Sequence, residues 1–160
     1  MKSLVLSGVV AALLVFSGCS SNNPSVDENG MNGGMSGSDA NEMSMANLEG
    51  KMSSIYFAFD KFDISSDMQS KVSTDAAVAK DAASKYTIKL EGNCDEWGSD
   101  EYNFALGLKR ASAVKNALVA EGVDANRITM VSYGESNPAC TSKTQDCWAK
   151  NRRVDFKILP

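Results

Sequence analysis

The chain has 160 residues, with 16 lysines and arginines against 20 aspartates and glutamates and no histidine, for a formal net charge of −4. That balance excludes a nucleic-acid surface, which needs a basic footprint. The missing histidine removes both the commonest general base and the commonest metal ligand.

The first element is an apolar run from Leu4 to Phe16, opened by Lys2 and broken only by Ser7 and Gly8. It falls short of the roughly 20 apolar residues that span a bilayer. Its charged start and length are those of a secretory signal. The run ends Val15-Phe16-Ser17-Gly18-Cys19, which resembles the lipobox of bacterial lipoproteins, with Phe16 where that motif usually has leucine. The resemblance implies a signal peptide over residues 1–18. It also implies a mature chain that starts at Cys19, carrying an S-diacylglycerol and an N-acyl chain. Each buried CH₂ contributes about 0.8 kcal/mol, and two or more chains give stable anchoring. Ser20 after the cysteine favours the outer membrane, by resemblance to the enteric sorting rule. Lys2 is the only charge in residues 1–18, so the mature balance is 15 basic against 20 acidic residues.

Residues 19–50 are rich in Asn, Ser, Gly, Asp and Glu, with Val26 and Leu48 the only large aliphatics. Such a segment buries too little to offset its ordering entropy and reads as a flexible linker. Some 30 residues of it have an r.m.s. span of about 30 Å and a reach of about 100 Å. Met31, Met35, Met43, Met45 and Met52 fall in or beside it and read as linker residues rather than a metal motif.

A domain is expected over residues 51–160. Ile55–Phe59 is an aromatic-rich apolar run, as in a buried strand. Ser65 or Ser66 caps a helix on which Met68, Val72, Ala76, Ala79 and Ala83 recur at helical spacing. Thr87–Glu91 alternates as a strand, and Gly92 is expected to end it. Ser99 caps a second helix, with Asp100 and Glu101 in its first turn and Gly122 beyond its end. A third strand covers Arg127–Tyr133, a short helical turn Gln145–Lys150, and a fourth strand alternates over Arg153–Ile158. The order β-α-β-α-β-(α)-β predicts an α/β (α+β) two-layer sandwich. In an exported, oxidising setting, Cys140 and Cys147 are expected to form a disulfide across a short loop. Cys94 is left as a buried free thiol. No zinc-finger spacing is present.

On the second helix, Leu106, Val114 and Leu118 form an apolar seam, and Arg110 lies in line with it at i+4 from Leu106. A seam arginine must find an anion or stay hydrated. Asn103 lies on the same face, and Asp95 sits in the loop just before the helix. Two readings stand side by side. One is an internal Asp95–Arg110 salt bridge. The other is a zwitterion clamp, with Arg110 on a carboxylate and Asp95 on an ammonium.

The stretch Leu90-Glu91-Gly92-Asn93-Cys94-Asp95-Glu96-Trp97-Gly98-Ser99, continuing through Tyr102-Asn103 to Arg110-Ala111, resembles the OmpA-like peptidoglycan-binding domain. Phe57-Ala58-Phe59-Asp60-Lys61, Val131-Ser132-Tyr133-Gly134-Glu135 and Trp148-Ala149-Lys150-Asn151-Arg152-Arg153-Val154 agree with it. The members it most resembles are the peptidoglycan-associated lipoproteins (Pal), over about residues 53–159. The resemblance implies a mixed four-stranded sheet and a non-catalytic domain that grips the diaminopimelate residue of the stem peptide. It places Asp95 and Arg110 as the acidic and basic contacts, and Asn103 as the asparagine of a Tyr-Asn pair. Asp60, Lys61 and Phe62 would lie on the loop lining the pocket. Leu106 belongs beside them, and Arg152 is the first arginine of the Asn-Arg-Arg segment. Asn93-Cys94 stands where the family usually has His-Thr, and Gly107 where serine is common. The implied partners are peptidoglycan, the outer membrane through the lipid, and the β-propeller TolB of the Tol-Pal system. No cofactor, metal or nucleic acid is implied. Two other functions compete: a peptidoglycan hydrolase using Asp60, Asp63, Asp95 or Glu96, and a surface-exposed adhesin.

Overall fold

The computed structural model describes residues 44–160. The expected signal peptide, Cys19 and the linker up to residue 43 lie outside the described residues. Residues 44–49 form a helix, α1. Then follow β1 (Ile55–Tyr56), α2 (Ser66–Lys80), β2 (Thr87–Asn93) and α3 (Asp100–Ala120). A 3-10 turn (Ala125–Arg127), β3 (Ile128–Gly134), α4 (Gln145–Asn151) and β4 (Arg153–Leu159) complete the domain. Among the described residues no helix is long and apolar enough to cross a membrane.

The four strands form one sheet in the order β1-β4-β2-β3. β2 and β3 are parallel, joined through α3, as parallel neighbours require a crossover. β4 enters between β1 and β2, antiparallel to both. The sheet is thus mixed, as the family resemblance implies. Ile88, Leu90, Val154, Phe156 and Ile158 build the core with Val72, Ala76 and Ala79 of α2 and Ala111, Val114 and Leu118 of α3. The alternate positions on β2 and β4 are polar: Lys89 pairs with Glu91 at 2.7 Å and Arg153 with Asp155 at 2.9 Å. That period-2 alternation gives two layers rather than three.

Most boundaries shift from the sequence reading by only a residue or a few, as where α2 ends at Lys80 short of Ala83, and three shifts bear on the core or the site. The domain does not begin at residue 51, because α1 belongs to it: Leu48 is buried in the core and Met45 and Met52 pack against it. Glu49 accepts from the Ile158 backbone N–H at 2.8 Å and from Lys157 at 3.0 Å. It thereby covers part of the β4 edge that the two-residue β1 leaves open. β1 stops at Tyr56 rather than Phe59, because the next carbonyls are taken by side chains. Arg152 Nε donates to Phe57 O at 3.0 Å, and Arg110 donates to Ala58 O and Lys61 O. β2 passes through Gly92 to Asn93, with a register shift between those two residues.

α2 carries a buried acid. Asp75 is fully buried; its Oδ1 accepts from Ser53 N at 3.0 Å, and its Oδ2 has no partner. Burial raises its pKa from 3.8 to about 6, against the lowering effects of the Ser53 hydrogen bond and of Lys71. The folded state therefore keeps a proton that the unfolded chain releases near pH 4, and stability falls as pH rises from about 4 to 6. Asp75→Asn is expected to raise stability near pH 7 by about 1–3 kcal/mol and to change little near pH 4. Urea melts across that range check it; equal gains at both pH values would contradict it.

Candidate functional site

Four pieces of chain meet at the end of the sheet where β2 hands over to α3. They are the loop after β1, the loop after β2, the first half of α3, and Arg152 between α4 and β4. Between them lies a hollow of about 360 Å³ lined by Phe59, Asp60, Asp95, Trp97, Gly98, Tyr102 and Leu106. Asp60 turns the first loop in a left-handed conformation, φ 56°, which aspartate tolerates better than most residues. Its carboxylate accepts from the Tyr102 hydroxyl, joining the loop to α3, and that bond raises the tyrosine's pKa. Gly98 has φ 122°, and a Cβ there would stand 3.1 Å from the Tyr102 ring. Ser99 then caps α3, accepting from Tyr102 N at 3.2 Å.

Arg110 lies behind the hollow, fully buried. Its Nε donates to Lys61 O at 2.8 Å, Nη1 to Asn93 O at 3.0 Å and to Cys94 Sγ at 3.4 Å, and Nη2 to Ala58 O at 3.3 Å. The Phe57 ring lies 5.3 Å from the guanidinium. The partners are carbonyls, a thiol and an aromatic face, and none is a carboxylate. Burial pushes its pKa below the usual arginine value, while Cys94 and Asp95 nearby push it up. The guanidinium stays charged, so a positive charge close enough to interact with Asp60 and Asp95 is bonded to the loops that form the hollow.

Of the two readings of Asp95 and Arg110, the internal salt bridge does not form: Asp95 pairs with Arg152 instead, at 2.9 Å with both side chains nearly buried. Arg152 reaches Asp95 because its Nε is fixed on Phe57 O. Asn103 is fully buried and donates to Asp95 O at 3.2 Å and to Glu135 at 2.5 Å. Its Oδ1 has no partner and faces Gly98, 3.4 Å from where a Cβ would be. The sequence-derived residues thus divide. Asp60, Asp95 and Leu106 line the hollow. Arg110, Asn103 and Arg152 stand behind it and hold its walls. Lys61 contributes its carbonyl to Arg110, and Phe62 lies beside it on the same loop, half-exposed under the Lys109 ammonium. Phe59, Trp97 and Tyr102 were not among the expected residues. Tyr102 adjoins Asn103 and could have been inferred; half-exposed aromatics on loops leave no periodic signal.

The two unusual residues after Gly92 face opposite ways. Asn93 turns to the polar face of the sheet, donating to Asp155 at 3.4 Å and accepting from Asn137 at 3.2 Å. Cys94 turns inward, donating to Asn103 O at 3.3 Å while accepting from Arg110. Burial raises its pKa to about 11, so it is a neutral thiol. The expected Cys140–Cys147 disulfide is present, and Asn151 closes the same loop by accepting from Ala139 N and Cys140 N.

The carboxylates considered for hydrolysis are mostly engaged: Asp95 by Arg152, Asp60 by Tyr102, and Glu96 by the Trp148 indole N–H at 2.9 Å. Among the described residues no group of three or more acids or cysteines could hold a metal.

Comparison with known proteins agrees with this architecture. Residues 56–152 match the OmpA family. A peptidoglycan-associated lipoprotein of Haemophilus influenzae is 40% identical over 154 residues, 96% of this chain and 95% of its own. That of Pseudomonas aeruginosa is 32% identical and covers 94% of each chain. The crystal structure of the peptidoglycan-associated lipoprotein from Burkholderia pseudomallei superposes with a TM-score of 0.62 at 37% identity, covering 66% of this chain and 88% of that one. The C-terminal domain of Helicobacter pylori MotB shares the fold, with a TM-score of 0.64 at 23% identity over 68% of this chain and 85% of its own. The domain is of a non-enzymatic kind, and the chain belongs to the OmpA family and, within it, to the peptidoglycan-associated lipoproteins.

Proposed function

We propose that the hollow binds the stem peptide of peptidoglycan at its diaminopimelate residue, and that the chain tethers the outer membrane to the cell wall. The observation that carries this reading is the charge layout. The carboxylates of Asp60 and Asp95 line the hollow, Asp95 held by Arg152, and the charge of Arg110, in contact with no carboxylate, is bonded to the two loops that carry them and is felt by both. A side chain ending in both an ammonium and a carboxylate matches that pair of poles. The names of the relatives support peptidoglycan as the polymer. Lipid on Cys19 supplies the membrane end in this reading, and many anchored copies facing a repeating polymer raise avidity without new contacts. Family resemblance also supports a place in the Tol-Pal envelope system with TolB as partner.

Co-sedimentation of the purified chain with isolated sacculi tests the reading. The chain is expected to pellet with the wall. Asp95→Asn removes the carboxylate while keeping its shape, and a charge-assisted hydrogen bond contributes about 1.5–3 kcal/mol. Binding is therefore expected to weaken about 10- to 100-fold, with a melt confirming the fold. Wild-type protein that stays in the supernatant would refute the assignment.

A further inference from the structure

The hollow carries more exposed aromatic surface than a zwitterionic amino acid needs. Phe59 is 60% exposed, Trp97 52% and Tyr102 50%, all on its rim. Contiguous exposed apolar surface of this kind marks ligand or partner contact. Trp97 is also held in place. Trp148 packs against it edge-on, with ring centroids 5.3 Å apart and planes at 75°. Trp148 is fixed in turn, since its indole N–H donates to Glu96 and its helix α4 is tied to the loop before it by the Cys140–Cys147 disulfide. One side of Trp97 is thus braced while half the residue stays open. A rigid aromatic plane loses little conformational entropy on binding.

We propose that Trp97, with Tyr102 beside it, forms a saccharide subsite that takes a pyranose ring of the glycan strand next to the stem-peptide hollow. The inference rests on the peptidoglycan reading above and extends it from the peptide to the sugar. A pyranose has an apolar C–H face and a rim of hydroxyls. It fits an aromatic plane bordered by acceptors, and here the bordering groups are the carboxylates of Asp60 and Asp95. An apolar side chain of a protein partner would instead leave those carboxylates facing hydrocarbon, at a desolvation cost. The stem peptide is joined at one end to an acetylated hexosamine, so a sugar ring lies near wherever the peptide binds.

Two probes separate the peptide from the sugar: a diaminopimelate-containing stem tetrapeptide, and the same tetrapeptide carrying its N-acetylglucosaminyl-N-acetylmuramyl disaccharide. Trp97 and Trp148 are the two tryptophans of the chain, so intrinsic fluorescence reads the site directly. The readout is the ratio of the two dissociation constants in the full chain, determined by calorimetry beside the fluorescence. The disaccharide-bearing probe is expected to bind about tenfold more tightly than the bare peptide. Trp97→Ala is expected to bring that ratio to about one, and Trp97→Phe to keep most of it. A ratio of one in the wild type overturns the subsite and leaves the aromatic rim to a protein partner. A tenfold ratio that survives Trp97→Ala also overturns it. Failure of both probes to bind overturns the peptidoglycan reading itself, which a ratio of one does not.

Discussion

Arg110→Lys is expected to abolish detectable wall binding and to lower stability by about 2–4 kcal/mol, although it keeps the charge. Arg110 is not an ordinary cation. It reaches three carbonyls on two separate segments at 2.8–3.3 Å: Ala58 O and Lys61 O on the loop after β1, and Asn93 O at the end of β2. A guanidinium presents five donors in a rigid fork, whereas lysine offers one compact ammonium that cannot span those positions. Each buried acceptor left unpaired costs about 1–3 kcal/mol. Only the Asn93 bond is fully buried, so water recovers part of the loss at Ala58 and Lys61. The loop carrying Asp60 is released at the same time, which disperses the hollow's wall. A thermal melt should show a fall of roughly 10 °C, and sacculus co-sedimentation should show no pelleting. A lysine variant that binds normally would mean that charge alone matters and that the fork does not.

The largest effect on folding is expected from Gly92→Ala. A Cβ at Gly92 would stand 2.0 Å from Gly107 O and 2.5 Å from Gly107 C, both backbone atoms of α3. No rotamer change can relieve that contact; the helix has to move off the sheet. Overpacking commonly costs about 1–3 kcal/mol, and a clash between two backbones lies at or beyond the top of that range. α3 also carries Tyr102, Asn103, Leu106 and Arg110, so the site is lost with the packing. Gly107→Ala is expected to be milder. Its closest contact, at 2.3 Å, is the Ser132 hydroxyl, a side chain that can turn, although Gly92 O at 3.0 Å keeps the fit tight. Denaturant midpoints should rank wild type above Gly107→Ala above Gly92→Ala. The reverse order of the two variants would contradict the packing argument.

Much of the fold was legible because its signals are local. α3 has its Ser99 cap, its first-turn acids and Gly122 beyond its end, where the sequence places them. β4 alternates as written, with Val154, Phe156 and Ile158 in the core. The misplaced boundaries depend on distant chain. β1 is cut short by arginines 52 and 95 residues away in sequence, and Leu48 is drawn into a core that no linker composition reveals. The site shows the same division. Asp95 and Arg110 looked like partners because the loop before α3 and the seam of that helix lie at one end of the sheet, yet the carboxylate is claimed by Arg152, 57 residues further on. Helical spacing reports which face a residue occupies. It does not report which of two arginines will arrive at a given oxygen.

The order of contacts along the N-terminal part of the domain has a mechanical meaning. Tension applied from before residue 44 is borne first by Leu48 in the core and by Glu49 on the edge of β4. The next resistance is the two-residue pairing of β1 with β4. Immediately after β1 come Phe57, Ala58 and Lys61, whose carbonyls are held by Arg152 and Arg110. The load-bearing path and the wall of the hollow are therefore one continuous stretch of chain, connected in series. A pull strong enough to peel β1 from the sheet reaches the grip itself before it reaches α2, so under sufficient strain the binding loop yields ahead of the helical layer.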